Sequence, residues 1–183
     1  MRRVGFLLIR LTTLITLVVM APFAFAATVV PDGYRLVAEA HGIPSAVFYA
    51  VAMAESGKRI EPLGAVRPWP WTLNVHGDGR FYPSRRAATW ALQEALASGR
   101  TSVDVGLMQV NVRYHRIALG EVDEALDPYR NLHVAAAILT ACYRSRGDWW
   151  AAVGCYHAPN DRHRAERYRE RVRTIWRELA VAG

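Results

Sequence analysis

Ser45-Ala46-Val47-Phe48-Tyr49-Ala50-Val51-Ala52-Met53-Ala54-Glu55-Ser56 is apolar on nearly every helical face and ends in a single carboxylate. A helix that is apolar all round has to be buried. Ser45 is placed to accept from the free amides of the first turn, and Gly57 stands where such a helix stops. An acid delivered at the end of a buried helix loses hydration. That raises its pKa and keeps it protonated near neutral pH, the condition a general acid needs. The competing reading is that Glu55 is the first solvated position after a core helix.

On the amino-terminal side, Pro31-Asp32-Gly33 predicts a turn into a short helix over Tyr34 to His41, with Asp32 as its cap and His41 at its end. Gly42-Ile43-Pro44 then breaks the chain before the Glu55 helix. Further out, Met1-Arg2-Arg3 is followed by an apolar run from Val4 to Met20 and by Ala24-Phe25-Ala26. A basic start, an apolar stretch and small residues at alternate positions predict a cleavable signal peptide over residues 1–26, with an uncleaved anchor as the competing reading. On this reading residues 27–183 form one domain exported to the periplasm, which meets the membrane only through the transient leader. A mature chain of that length buries a real core without a disulfide framework.

Losing Arg2, Arg3 and Arg10 with the leader lowers the formal charge from +7 to +4. That balance suits attraction to an anionic polymer and does not single out nucleic acid. Cys142 and Cys155 are the only thiols; they either pair in an oxidising compartment or stay buried and free, and they lack the histidines of a zinc site.

Beyond the Glu55 helix, the proline- and glycine-rich stretch from Gly57 to Pro70 predicts a loop. Trp69 to Val75 then reads as a strand, His76-Gly77-Asp78-Gly79 as a turn and Arg80-Phe81-Tyr82 as the returning strand. Trp69, Trp71, Phe81 and Tyr82 either line a saccharide groove or pack the hairpin itself. Ser84 caps a helix over Arg85 to Ala97, closed by Ser98-Gly99. In Thr101 to Asn111, the amides Gln109 and Asn111 sit two positions apart among apolar neighbours, and Gly106 permits a turn or a close approach. Buried amides need partners, which either a sugar's hydroxyl and acetamido groups or loop backbone can supply. Asp127-Pro128 opens the longest helix, which runs to Arg146 with Leu132, Ala135, Ala136, Leu139 and Tyr143 on one stripe. Gly147-Asp148 ends it and caps a helix from Trp149 to Tyr156. From Asp161 a basic amphipathic helix buries Ala165, Tyr168, Val172, Ile175 and Leu179 and turns its arginines elsewhere, first of all as a solvated face.

Glu55-Ser56, then Gly106-Leu107-Met108-Gln109-Val110-Asn111, then Ala152-Val153-Gly154-Cys155-Tyr156-His157-Ala158 resemble, in this order, the three motifs of the soluble lytic transglycosylase family. The likeness runs from about Tyr34 to Trp176 if an insertion over about residues 57–102 is allowed. It implies a mainly α, lysozyme-like domain of the goose type, here with a small β-hairpin insertion, that cleaves the glycan strands of peptidoglycan. It implies Glu55 as the catalytic acid and Ser56, Met108, Gln109, Asn111 and Tyr156 as substrate-binding residues, with Met108 shaping the groove wall, and no metal or organic cofactor. The long gap between the first two motifs resembles transglycosylases that accompany conjugation and type IV secretion, whose machinery would be a partner beside the glycan. The family more often has Tyr-Asn-Ala-Gly where this chain has Tyr156-His157-Ala158-Pro159, so Tyr156 carries over and His157 does not. Asp104 is the nearest candidate for a second carboxylate. Two other functions fit the same residues: a lysozyme-like hydrolase and a non-catalytic peptidoglycan-binding component of a secretion apparatus. With peptidoglycan as substrate, the arginines of the last helix acquire a second reading, attraction to stem-peptide carboxylates or to a partner protein.

Overall fold

The computed structural model describes residues 30–181, so the expected leader and its cleavage after Ala26 lie outside the described residues. Helix α1 (Asp32–Ala40) leads into α2 (Ser45–Ser56), which is the centre of the domain. Val47 to Ala52 and Ala54 are all buried, with Phe48 and Val51 fully enclosed. Enclosing one such side chain is worth about 1.5–3 kcal/mol, which fixes α2 in place far more firmly than any cap. Neither helix uses the cap expected for it. Pro31 and Pro44 occupy the N-cap positions and accept no side-chain hydrogen bond there. Each proline leaves Asp32 or Ser45 already inside its helix, and Asp32 instead pairs with Arg35 at 2.8 Å.

The stretch after α2 is not the expected loop. It forms an antiparallel hairpin, β1 (Gly57–Ile60) with β2 (Ala65–Pro68). Pro62 and Gly64 fall in its turn, outside the ladder, and so the proline and glycine content marked a reversal between strands rather than an absence of strands. A second hairpin follows as expected, β3 (Thr72–Val75) with β4 (Asp78–Phe81). Its turn is the two residues His76 and Gly77, both at positive φ, so the returning strand begins at Asp78. Helix α3 (Arg85–Ala97) is capped by Ser84, whose hydroxyl accepts from Ala87. The chain then returns to the sheet as β5 (Val103–Val105) and β6 (Val110–Asn111), giving the order β4-β3-β5-β6.

Two short helices without counterpart among the sequence expectations follow, α4 (Val112–Leu119) and α5 (Val122–Ala125). Then come α6 (Pro128–Arg146), capped by Asp127, and α7 (Trp149–His157), capped by Asp148, both starting where the sequence placed them. The last helix is α8 (Arg162–Val181). A disulfide between Cys142 and Cys155 ties α6 to α7 and resolves the alternative that the sequence left open. Gly154 lets α7 and α8 approach closely, since a Cβ there would lie 3.0 Å from the Ala165 carbonyl oxygen. Helices α2, α6, α7 and α8 enclose one core, with the sheet at its side.

Candidate active site

Residues 106–109 form the tip of the β5–β6 hairpin, and four of its backbone groups are bonded from outside it. Gly106 N–H donates to the Thr72 carbonyl of β3 at 2.8 Å. The hydroxyl of Ser56, at the end of α2, donates to the Leu107 carbonyl at 2.7 Å. From α6, the buried Asn131 accepts from Met108 N–H through Oδ1 and donates to the Val105 carbonyl through Nδ2, each at 2.9 Å. From α7, the Tyr156 hydroxyl donates to the Met108 carbonyl at 2.7 Å. Gly106 has φ +80°, and a Cβ there would lie 2.6 Å from the Asn131 carboxamide, so both conformation and space require glycine. Gln109, at φ 47°, holds a left-handed conformation that non-glycine residues adopt at a cost. Its Nε2 donates to the Gly106 and Thr72 carbonyls at 2.9 and 3.2 Å.

The same contacts bring Glu55 into the assembly, because Ser56 anchors the end of α2 to the tip. Glu55 keeps some exposed surface, but burial desolvates its carboxyl. That desolvation is the largest influence on its acidity and pushes the pKa from the usual 4.5 up to about 7. The Tyr168 hydroxyl, which donates to Glu55 Oε1 at 2.5 Å, and the Arg171 guanidinium both pull the value down, while the negative charge of Asp104 adds to the rise. Arg171 is held by the end of α2 itself, donating to the Ala54 carbonyl at 2.7 Å. Asp104 lies opposite Asn111 across the β5–β6 ladder and accepts from its Nδ2 at 2.7 Å. Burial raises the pKa of Asp104, and the bond from Asn111 opposes the rise.

The residues singled out in the sequence are thus gathered, but in unequal roles. Glu55, Gln109, Asn111 and Tyr156 each keep some exposed surface. Ser56 is buried and spends its hydroxyl on the tip, and Met108, expected on the groove wall, is fully enclosed and offers only its backbone. Its side chain belongs to the hydrophobic core. Asn111 has both side-chain atoms engaged, Nδ2 with Asp104 and Oδ1 in capping α4 through Arg113 N–H. Trp69 packs within the hairpins, donating from Nε1 to the Tyr82 carbonyl at 2.7 Å under the ammonium of Lys58. The sequence pattern places Tyr168 only on the buried stripe of α8 and gives Asn131 no role, yet these two hold Glu55 and the tip. Among the described residues no cluster of three or more His, Cys, Asp or Glu could hold a metal ion.

A mainly helical domain whose buried central helix brings one desolvated carboxyl beside a small antiparallel sheet is lysozyme-like in its fold. The family model described as "Transglycosylase SLT domain" matches residues 81–177, more than half of the chain, and the chain belongs to that family. Membership implies a glycan-cleaving transglycosylase with peptidoglycan as its substrate. The matched stretch contains the β5–β6 tip, α7 and most of α8 and begins after α2, so Glu55 joins the site by geometry alone. No characterised relative and no solved structure matches the chain.

Proposed function

We propose that the protein is a peptidoglycan lytic transglycosylase in which Glu55 serves as acid and then as base. The observation that carries this reading is the desolvated Glu55 carboxyl, its pKa raised to about 7, at the end of the helix that Ser56 anchors to the Gly106–Gln109 tip. Protonated Glu55 gives its proton to the glycosidic oxygen between N-acetylmuramic acid and N-acetylglucosamine as the anomeric C–O bond breaks. The resulting carboxylate takes the proton from the 6-hydroxyl of the muramoyl residue, whose oxygen closes on the anomeric carbon. No water is consumed, the product is a 1,6-anhydromuramoyl end, and Glu55 finishes protonated. A nucleophile within the same sugar has a high effective concentration, so one carboxyl suffices. Gln109, whose side-chain bonds run through Nε2, keeps Oε1 to meet the sugar, and Tyr156 holds the tip in register.

One observation favours a second reading. Asp104 is close enough for its charge to be felt at Glu55, and glycoside hydrolases use carboxyl pairs. In a hydrolase, Asp104 would direct water and Asp104→Asn would abolish cleavage. In the transglycosylase, Glu55→Gln abolishes release of muropeptides from purified sacculi, Asp104→Asn retains it, and mass spectrometry finds ends one water lighter than reducing ends. Reducing ends lost with Asp104→Asn would establish the hydrolase. Binding to sacculi without release by the parent protein would favour a non-catalytic component.

The setting we propose is the periplasm, with residues 1–26 as a cleaved leader and local wall opening for a conjugation or secretion channel as the task. The support is the composition of the leader and the two hairpins and helix inserted between α2 and β5. Deleting the gene with no change in transfer or secretion would remove the specialised role and leave general wall turnover.

A further inference from the structure

One face of α8 carries Arg164, Arg167, Tyr168 and Arg171, at the spacing of successive helical turns. With His157 of α7 these residues line an open cavity of about 200 Å³. The cavity adjoins the Glu55 site, because Tyr168 is common to both: its hydroxyl meets Glu55, and its ring stacks on His157 with centroids 4.3 Å apart. Three other arginines of the helix have a carboxylate partner, Arg162 in Glu166, and Arg169 and Arg173 sharing Glu170. Among the described residues no ion pair includes Arg164, Arg167 or Arg171. Arg171 donates to the Ala54 carbonyl, and Asp161, which accepts from the Arg164 backbone N–H at 3.0 Å, is the carboxylate whose charge Arg164 and Arg167 feel.

Like charges stacked on adjacent turns oppose helix formation, and with Asp161 as the carboxylate beside Arg164 and Arg167 this face has room for a further anion. Planar guanidiniums offer paired N–H groups that match a carboxylate, and they lose less freedom on binding than ammonium groups do. The volume is below the roughly 300 Å³ at which whole-ligand pockets begin, which suits an acidic side group rather than a sugar unit. The muramoyl residue cut at Glu55 carries a peptide on its lactyl group, and that peptide bears free carboxylates.

We propose that the cavity is a stem-peptide subsite, in which Arg164 and Arg167 clasp a carboxylate of the peptide on the muramoyl residue being cleaved. The proposal rests on the reading of Glu55 as the acid of a transglycosylase. It makes the enzyme prefer glycan that still bears stems, and it gives Arg171, anchored beside Glu55, the task of linking an occupied subsite to the acid.

The test compares two preparations of the same sacculi, one intact and one stripped of stems by an amidase, cleaved by the parent protein and by the R164Q/R167Q double variant. On intact glycan the double variant should lose about tenfold or more in kcat/KM, chiefly through KM, while on stripped glycan the two proteins should agree within about twofold. R164K/R167K should recover part of the loss. Equal loss on both substrates, or loss on neither, would overturn the subsite. Calorimetric titration with the free tetrapeptide stem provides a readout independent of activity: the parent should bind it about tenfold more tightly than the double variant, and amidation of the peptide's carboxylates should remove the difference. If the parent binds the stem but releases no anhydro ends, the catalytic reading fails and the subsite stands. If the parent does not bind the stem, the subsite falls whatever the activity.

Discussion

The proton on Glu55 is set by three neighbours acting in opposite directions, and Tyr168 is the one whose share can be removed with least disturbance. Its hydroxyl donates to the carboxylate form of Glu55, while its ring packs on His157. Tyr168→Phe keeps the ring, so the desolvation that dominates the shift persists and the downward pull of the hydrogen bond is lost. Hydrogen bonds to charged groups are worth about 1.5–3 kcal/mol, or about one to two pH units in the pKa of the acceptor. A general acid must be protonated to act, so under the proposed mechanism the rate of anhydro-end release should fall as pH rises through the Glu55 pKa. In Tyr168→Phe this alkaline limb should move up by about one unit. A limb that stays in place or moves down would mean that Tyr168 does not hydrogen-bond the carboxylate during turnover. Glu55 was legible in the sequence because it ends a run too apolar to lie anywhere but the core. Tyr168 read only as one more stripe residue of α8, and its partner lies 113 positions away. No local pattern carries a contact of that range.

At the scale of elements, the site is a hairpin tip clamped by the end of α2, the start of α6 and the end of α7. The clamp depends on the absence of a side chain at Gly106. Gly106→Ala would set a Cβ at φ +80° against the Asn131 carboxamide, 2.6 Å away, and so displace the group that holds Val105 and Met108. Backbone strain combined with the loss of two buried hydrogen bonds should destabilise the fold by about 2–4 kcal/mol, read by denaturant unfolding, with glycan cleavage falling further than stability does. Cleavage at the parental rate would show that the tip's placement is not needed. The starts of α3, α6 and α7 were readable because Ser84, Asp127 and Asp148 state their caps locally. The β1–β2 hairpin was not, since Pro62 and Gly64 mark a turn without naming the short strands beside it. Asn131 reads as an ordinary first-turn residue of α6 until tertiary packing lays it against the tip, 23 positions back in the sequence.

For the molecule as a whole, an acid kept protonated near neutrality carries a cost in stability, and linkage fixes where that cost falls. Below the unfolded-state value near 4.5 the Glu55 carboxyl is protonated whether or not the chain is folded, and its burial is unopposed. Between that value and about 7 the unfolded chain releases the proton while the folded one retains it, so folding stability declines as pH rises. Above about pH 7 both states are ionised and the full penalty is present, on the order of 3 kcal/mol for a rise from 4.5 to about 7. Glu55→Gln stays neutral throughout and escapes the penalty. Relative to the parent, the Gln variant should therefore gain about 1–3 kcal/mol in denaturant unfolding between pH 5 and pH 8, while losing glycan cleavage at both. A stability difference between the two proteins that does not change with pH would mean that the Glu55 carboxyl is well hydrated in the folded protein. The proton on which the proposed chemistry depends would then be gone at neutral pH. The two measurements are linked, because the same loss of water that weakens the fold above pH 7 is what equips Glu55 to act as an acid below it.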